Sequence, residues 1–127
     1  MGGEAMTTTD FSQLVRNWFD AAGQADGPLL PDGWFGGRPH ENIYFLEHVD
    51  SVENSLVIHL SEDTTLRFDG PGRVFVENSD LVFDGFRQAA LRWKHYGGGE
   101  KAPYHERTYE EGQVRLAAPI GTTINLP

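Results

Sequence analysis

The N-terminal part of the chain carries one helical pattern of apolar side chains. Six of them recur at intervals that place them on a single helix face: Phe11, Leu14, Val15, Trp18, Phe19 and Ala22. Gly23 follows directly, and glycine is the residue type that most often ends a helix. The pattern predicts an amphipathic helix over residues 9–22, preceded by a flexible extension over residues 1–8.

Residues 24–39 interrupt any regular pattern with closely spaced Gly and Pro. Gly27-Pro28, Pro31-Asp32-Gly33 and the Gly36–Pro39 segment are successive turn signals, so we expect a loop throughout. Two large aromatics, Trp34 and Phe35, lie within it. Such side chains commonly cover an open end of a sheet, and less often they form an exposed platform for a ligand.

Between residues 43 and 117 apolar and polar positions alternate in short runs, which is typical of strands with one buried face. The runs are 43–49, 55–60, 64–68, 73–77, 81–83, 86–94, 108–109 and 113–117. The connections are too short for crossover helices, so neighbouring strands should be antiparallel. We therefore expect one domain over residues 1–127 of the mainly β (α+β) class. It would be a single antiparallel meander sheet, or a partly open barrel, of seven to eight short strands with the helix packed on it.

Two further features bear on the architecture. The segment Leu66–Gly70 is echoed by Leu81–Gly85, which indicates two successive hairpins with the same Asp-Gly turn. Residues 118–127 form an apolar tail without charged residues, and we expect it to dock on the sheet as an edge segment.

Composition narrows the cellular setting. The chain has no cysteine, which excludes disulfides and thiolate metal sites. Residues 1–6 lack the basic and apolar stretches of a signal peptide, and no apolar run is long enough to span a membrane. We therefore expect a small, acidic, soluble domain of bacterial type in the cytoplasm.

The net charge of −9 is unevenly distributed along the chain. Residues 1–63 contain eleven Asp and Glu but only Arg16 and Arg38 as bases, whereas residues 64–127 are balanced. Because nucleic acids and anionic membranes bind through Lys and Arg, we expect neither as a partner. The acidic half is either a surface for solubility or a face for a basic protein.

The histidines are the natural candidates for metal or proton chemistry. His48-Val49-Asp50, with a distant His95 or His105, matches the two-histidine, one-carboxylate pattern of non-haem iron oxygenases. That match is unspecific, the chain is short for such an enzyme, and Asp50 is also expected at the start of a turn. We predict no metal, no cofactor and no catalytic residue, although an enzyme is not excluded.

Two sets of residues are candidate binding sites. The first would line the mouth of an aromatic pocket and consists of Trp34, Phe35, Trp93, His95, Tyr96 and Tyr104. The second would form a basic patch on the outer sheet face, unless nearby acids neutralise it, and consists of His59, Arg67, Arg73, Arg92 and Lys94.

These features predict a non-catalytic protein-binding module with a basic protein partner. The alternative is a small-molecule carrier or enzyme with an aromatic-lined pocket. Self-association through an edge strand or through the C-terminal tail is a third hypothesis.

Overall fold

The computed structural model describes residues 8–37, 42–94 and 102–126. Within them lie one helix, α1 (Thr8–Ala22), and eleven strands. The strands are β1 (Ala25–Leu30), β2 (Gly33–Trp34), β3 (Ile43–Tyr44), β4 (Leu46–Val52), β5 (Ser55–Leu60), β6 (Thr64–Asp69), β7 (Arg73–Glu77), β8 (Asp80–Asp84), β9 (Gln88–Lys94), β10 (Tyr104–Glu110) and β11 (Val114–Ala117).

The strands form two antiparallel sheets. The six-stranded sheet has the order β2-β1-β11-β8-β7, with β3 also paired to β1, and the five-stranded sheet has the order β10-β9-β6-β5-β4. The expected mainly β, antiparallel fold with an N-terminal helix packed on a sheet is therefore confirmed. The described strands number eleven rather than seven or eight, they divide between two sheets, and neither sheet closes into a barrel.

The helix follows the predicted apolar stripe. Phe11, Val15, Trp18 and Phe19 are buried, and Gly23 ends the helix with a positive φ and an N–H that donates to the carbonyl of Phe19. Helix α1 packs mainly against β4 and also contacts β5 and β7. It therefore reaches an edge strand of each sheet.

The core lies between the inner faces of the sheets and α1. On β5 the alternating residues Leu56, Ile58 and Leu60 are buried, as the period-2 pattern predicts. Phe68 of the five-stranded sheet stacks on Phe83 of the six-stranded sheet with ring centroids 4.3 Å apart. The two sheets therefore share one hydrophobic cluster with α1.

The prediction of a continuous loop over residues 24–39 is wrong, because β1 and β2 lie within it. Strand β1 accommodates Pro28, which has no N–H to donate, at an irregularity in its pairing with β11 between Asp26 and Leu29. The backbone groups beside the proline still find partners. The N–H of Gly27 donates to the carbonyl of Asn42, and the carbonyl of Pro28 accepts from Phe35.

The repeated Asp-Gly pair does not form two hairpins. β6 and β9 pair in one sheet, while β7 and β8 form a hairpin in the other. Each Asp-Gly therefore lies where the chain leaves one sheet for the other, and Gly70 and Gly85 both have positive φ there. The crossings run side by side, since a Cβ on Gly72 would lie only 2.5 Å from the ring of Phe86.

The C-terminal tail docks without becoming a strand in the described residues 118–126. The N–H of Ala118 donates to Asp80, the N–H of Ile124 donates to the hydroxyl of Ser79, and the Ile124 side chain is buried. The expected docking is therefore present, but side chains hold the tail and no strand ladder forms. The two side chains are Ser79 in the β7–β8 turn and Asp80 at the start of β8.

Candidate functional site

The outer face of the five-stranded sheet carries rows of polar side chains that the strand pairing brings together. One row crosses all five strands and consists of His48, His59, Thr65, Arg92 and Glu106. The next row consists of Asp50, Val57, Arg67, Ala90 and Thr108. On β4, β5, β6 and β9 these residues alternate with buried positions, so they face away from the core, and Glu106 and Thr108 of β10 continue the same rows.

At the β4 edge of this face, two histidines share one carboxylate. Nε2 of His48 lies 2.5 Å from Oδ1 of Asp50, and Nε2 of His59 lies 3.3 Å from Oδ2. The two imidazole rings stack with centroids 5.7 Å apart. Asp50 was expected at the start of a turn, but β4 continues to Val52 and places Asp50 within the strand.

Exposed apolar side chains precede and follow His48 and Asp50 along the chain. Ile43, Phe45 and Val52 are 46%, 55% and 58% exposed. The N–H of Phe45 donates to the hydroxyl of Ser61, and its carbonyl accepts from the N–H of Ser61, so Phe45 lies beside the β5–β6 turn. This strip of surface therefore combines apolar side chains with the polar cluster.

Acidic residues lie in the same strip, and we call the whole strip the acidic ridge. Its apolar residues are Ile43, Phe45 and Val52, and its acidic residues are Glu47, Asp50, Glu53, Glu62 and Asp63. Its five carboxylates lie on β4 and on the turns at the two ends of β5, and no Lys or Arg occurs between Arg38 and Arg67. The ridge therefore concentrates negative charge beside exposed apolar surface.

The acidic turn at one end of the ridge has an unusual backbone. Glu62 and Asp63 both have positive φ, at 62° and 53°. The turn of Ser61, Glu62 and Asp63 joins the paired residues Leu60 and Thr64. At positive φ, Gly and Asn are favoured, because most other side chains meet steric hindrance there. Glu62 in particular stands where the backbone favours Gly, Asn or Asp. Burial, together with the charge of Glu62, raises the pKa of the neighbouring Tyr44 above its usual value.

The predicted basic patch is only partly assembled. His59, Arg67, Arg92 and Lys94 lie on β5, β6 and β9, which are neighbours, but Arg73 lies on β7 in the other sheet. Carboxylates pair with several of these groups, as ordinary strand surfaces do. Arg67 pairs with Asp69 at 2.9 Å, and Arg73 pairs with Asp84 at 2.7 Å.

The predicted aromatic pocket residues are placed in three regions. Phe35 and Trp93 meet edge to face with centroids 5.0 Å apart, and the guanidinium of Arg107 lies over both rings. Tyr104 is on the outer face, where Arg92 lies 4.0 Å from its ring centroid. Trp34 pairs with Leu29 on the six-stranded sheet. His95 and Tyr96 lie outside the described residues.

The described residues also form an open groove, and they contain neither a metal-binding cluster nor a membrane-spanning helix. An open groove of about 520 Å³ is lined by Arg87, Gln88, Glu110 and Glu111, at the end of the sheet face where β9 begins and β10 ends. The described residues contain no group of three or more His, Cys, Asp or Glu that could hold a metal ion. In the same residues, no helix has the length and apolar character needed to cross a membrane.

Comparison with family models, with curated proteins and with solved structures finds no match to this chain. Sequence reasoning identified His59 and the acidic N-terminal half, but it missed the exposed apolar residues Ile43, Phe45 and Val52. The absence of Lys and Arg between residues 39 and 66 was the readable signal for this segment.

Proposed function

We propose that this protein is a non-catalytic binding module that docks a basic protein partner on the acidic ridge. The observation that carries the proposal is the coincidence of exposed Ile43, Phe45 and Val52 with a segment that has five carboxylates and no Lys or Arg. A cytoplasmic setting belongs to the same proposal, because a chain without cysteine needs no oxidising compartment.

The composition of the ridge supports a protein rather than a small ion as the partner. Aromatic and aliphatic side chains supply the apolar contact area of an interface, while charges around them set specificity and association rate. Phe45 would insert into an apolar depression of the partner. Glu62 and Asp63, beside it, would meet Lys or Arg at the rim.

The docking mode follows from the position of α1. An edge strand can recruit a partner strand through its free backbone groups. On β4, however, Arg16 of α1 donates to the carbonyl of Val49, and Ser12 contacts Ser51 through their hydroxyls. The helix therefore engages one backbone carbonyl and one side chain along that edge, which favours docking through the side chains of the ridge.

The test is a capture experiment from a lysate of the source cells. The immobilised chain is compared with Glu62→Lys/Asp63→Lys and with the matched control Glu110→Lys/Glu111→Lys, which makes the same charge change at the far edge of the same sheet. Retained proteins are identified by mass spectrometry at low and raised salt. We expect the original chain and the control to retain the same basic protein, and the ridge variant to lose it.

Two results would overturn the proposal. One is retention of the same proteins by the ridge variant and by the original chain. The other is loss of retention in the control to the same degree as in the ridge variant, which would show a response to total charge alone. Raised salt should weaken genuine docking, because exposed charges are screened over about 8–10 Å at physiological ionic strength.

A second candidate function is the binding of an anionic small molecule beside Phe35 and Trp93. The observation that favours it is the guanidinium of Arg107, which lies over both rings. A planar carboxylate could stack on the aromatic surface and pair with Arg107. Tryptophan fluorescence titrated with benzoate tests this: quenching that Arg107→Gln abolishes supports it, and an unchanged spectrum contradicts it.

A further inference from the structure

We propose that the His48–Asp50–His59 cluster makes docking on the acidic ridge sensitive to pH, so that acidification releases the basic partner. The inference rests on the proposed function, because it concerns the same surface. Asp50 lies in the middle of β4, between the apolar side chains of Phe45 and Val52. A change of charge there acts at the centre of the ridge.

The geometry couples both histidines to one acid. Each imidazole directs Nε2 at a different oxygen of Asp50, at 2.5 Å and 3.3 Å. Histidine is the side chain whose ordinary range of titration lies between pH 5 and 8. With both imidazoles neutral the cluster carries the single negative charge of Asp50, and with both protonated it carries one positive charge.

Two consequences of protonation act in the same direction. The ridge loses two units of negative charge, which weakens its attraction for Lys and Arg on the partner. Protonation also strengthens the pairing of both imidazoles with Asp50. That carboxylate is then engaged within the cluster and is no longer free to accept from a partner cation.

The charged groups around the cluster leave the two histidines to determine how the local charge responds to pH. On β6, Thr65 lies opposite His59, and Arg67 lies diagonally from it but is paired with Asp69. On β9, Arg92 lies beyond Thr65. On the α1 side, Arg16 is bound to the carbonyl of Val49. Glu47 and the turn acids Glu53, Glu62 and Asp63 are the other charged groups of this edge.

The test uses a short peptide of alternating lysine and leucine as the probe, labelled with tetramethylrhodamine, whose emission does not change between the two pH values. Fluorescence anisotropy gives its affinity for the full chain at pH 7.5 and pH 5.5 at constant ionic strength. We expect binding to the original chain to weaken about fivefold on acidification, the order of magnitude for two screened charges near an interface. His48→Gln/His59→Gln should bind equally at both pH values. The control His105→Gln alters a histidine on the opposite sheet face and should retain the pH response.

The outcomes separate the inference from the proposed function. Equal affinity of the original chain at both pH values would overturn the inference while the proposed function stands. A full pH response in His48→Gln/His59→Gln would also overturn it. No binding by the original chain at pH 7.5, or equal binding by Glu62→Lys/Asp63→Lys, would overturn docking on the ridge itself. Urea unfolding of each variant shows that the fold is retained, which we expect because both histidines are substantially exposed.

Discussion

His48 lies directly opposite His59 because β4 contains one extra residue, Glu47, at an irregularity in its pairing with β5. Leu46 pairs with Leu60, so a regular ladder would place Glu47 opposite His59. The bulge turns both His48 and Asp50 to the outer face. The cluster that we assign to pH response therefore depends on a one-residue shift in register.

The residues Glu62 and Asp63 should make their turn less stable than residues better suited to positive φ would. Replacing them with Asn-Gly, as Glu62→Asn/Asp63→Gly, suits positive φ at both positions and should raise the free energy of unfolding by about 1 kcal/mol. Urea denaturation measures this. Glu62→Gln, which removes one charge and keeps the conformational hindrance, is the control. If the Asn-Gly variant is no more stable than that control, the turn does not carry the conformational cost we assign to it.

Gly72→Ala should destabilise the fold by about 1–3 kcal/mol, because the new methyl group would overlap the Phe86 ring. That ring cannot easily move, since Phe11 and Phe68 pack against it. Thermal or urea unfolding measures the effect. In the double variant Gly72→Ala/Phe86→Leu the two changes should be non-additive, because the smaller side chain makes room for the methyl group. Additive losses would show that the close approach is not the cause.

Two isoleucines of the tail provide a matched pair. Ile124 is 5% exposed and Ile120 is 82% exposed. Ile124→Ala should cost about 2–4 kcal/mol of unfolding free energy, whereas Ile120→Ala should change it by less than about 0.5 kcal/mol. Equal losses at the two positions would contradict the docking of the tail. Light scattering on Ile120→Ser also tests self-association through the tail without disturbing the core.

Asp69 should contribute to acid stability. Its partial burial acts to raise its pKa, but the hydrogen bonds from Ser55 and Arg67 outweigh this and leave the pKa below the usual value. Because folding lowers this pKa, the ionised form stabilises the folded state above about pH 4, near the unfolded-state pKa. That contribution is lost as the pH falls through the folded-state pKa.

The measurement for Asp69 is urea unfolding between pH 5 and pH 2. In Ser55→Ala the hydroxyl that donates to Asp69 at 2.5 Å is absent. The free energy of unfolding of the original chain should therefore fall more steeply below pH 4 than that of the variant. Parallel curves would show that the hydrogen bond does not hold the pKa down.

Much of the fold was readable from local pattern. The apolar stripe that includes Val15 and Trp18 predicted α1, and apolar–polar alternation on β5 and β7 predicted strands at the observed bounds. Both patterns arise because a helix or a strand that buries one face repeats its apolar residues with its own structural period. The segment around Gly27-Pro28 was misread, since β1 depends on tertiary pairing that accommodates the proline. Local pattern also gave no indication that the chain changes sheets after Asp69 and Asp84.

The candidate site was readable only in part. The charge of the ridge follows directly from composition, but the exposure of Phe45 depends on its position between β3 and β4, where the chain passes from one sheet to the other. The contact of His48 and His59 with Asp50 depends on the bulge at Glu47, which no short-range signal marks. The exposure of Phe45 and the histidine contacts with Asp50 are determined by strand pairing and by the passage of the chain between sheets, rather than by local propensity.

The central claim is that a basic protein docks on the acidic ridge, and NMR footprinting tests it most directly. The protein retained in the capture experiment is titrated into the ¹⁵N-labelled chain, and amide signals are followed residue by residue. We predict shifts or broadening at Ile43, Phe45, Glu53, Glu62 and Asp63, with little change at Gln88, Glu110 and Glu111. A footprint centred on the second group, with the ridge signals unchanged, would contradict the account.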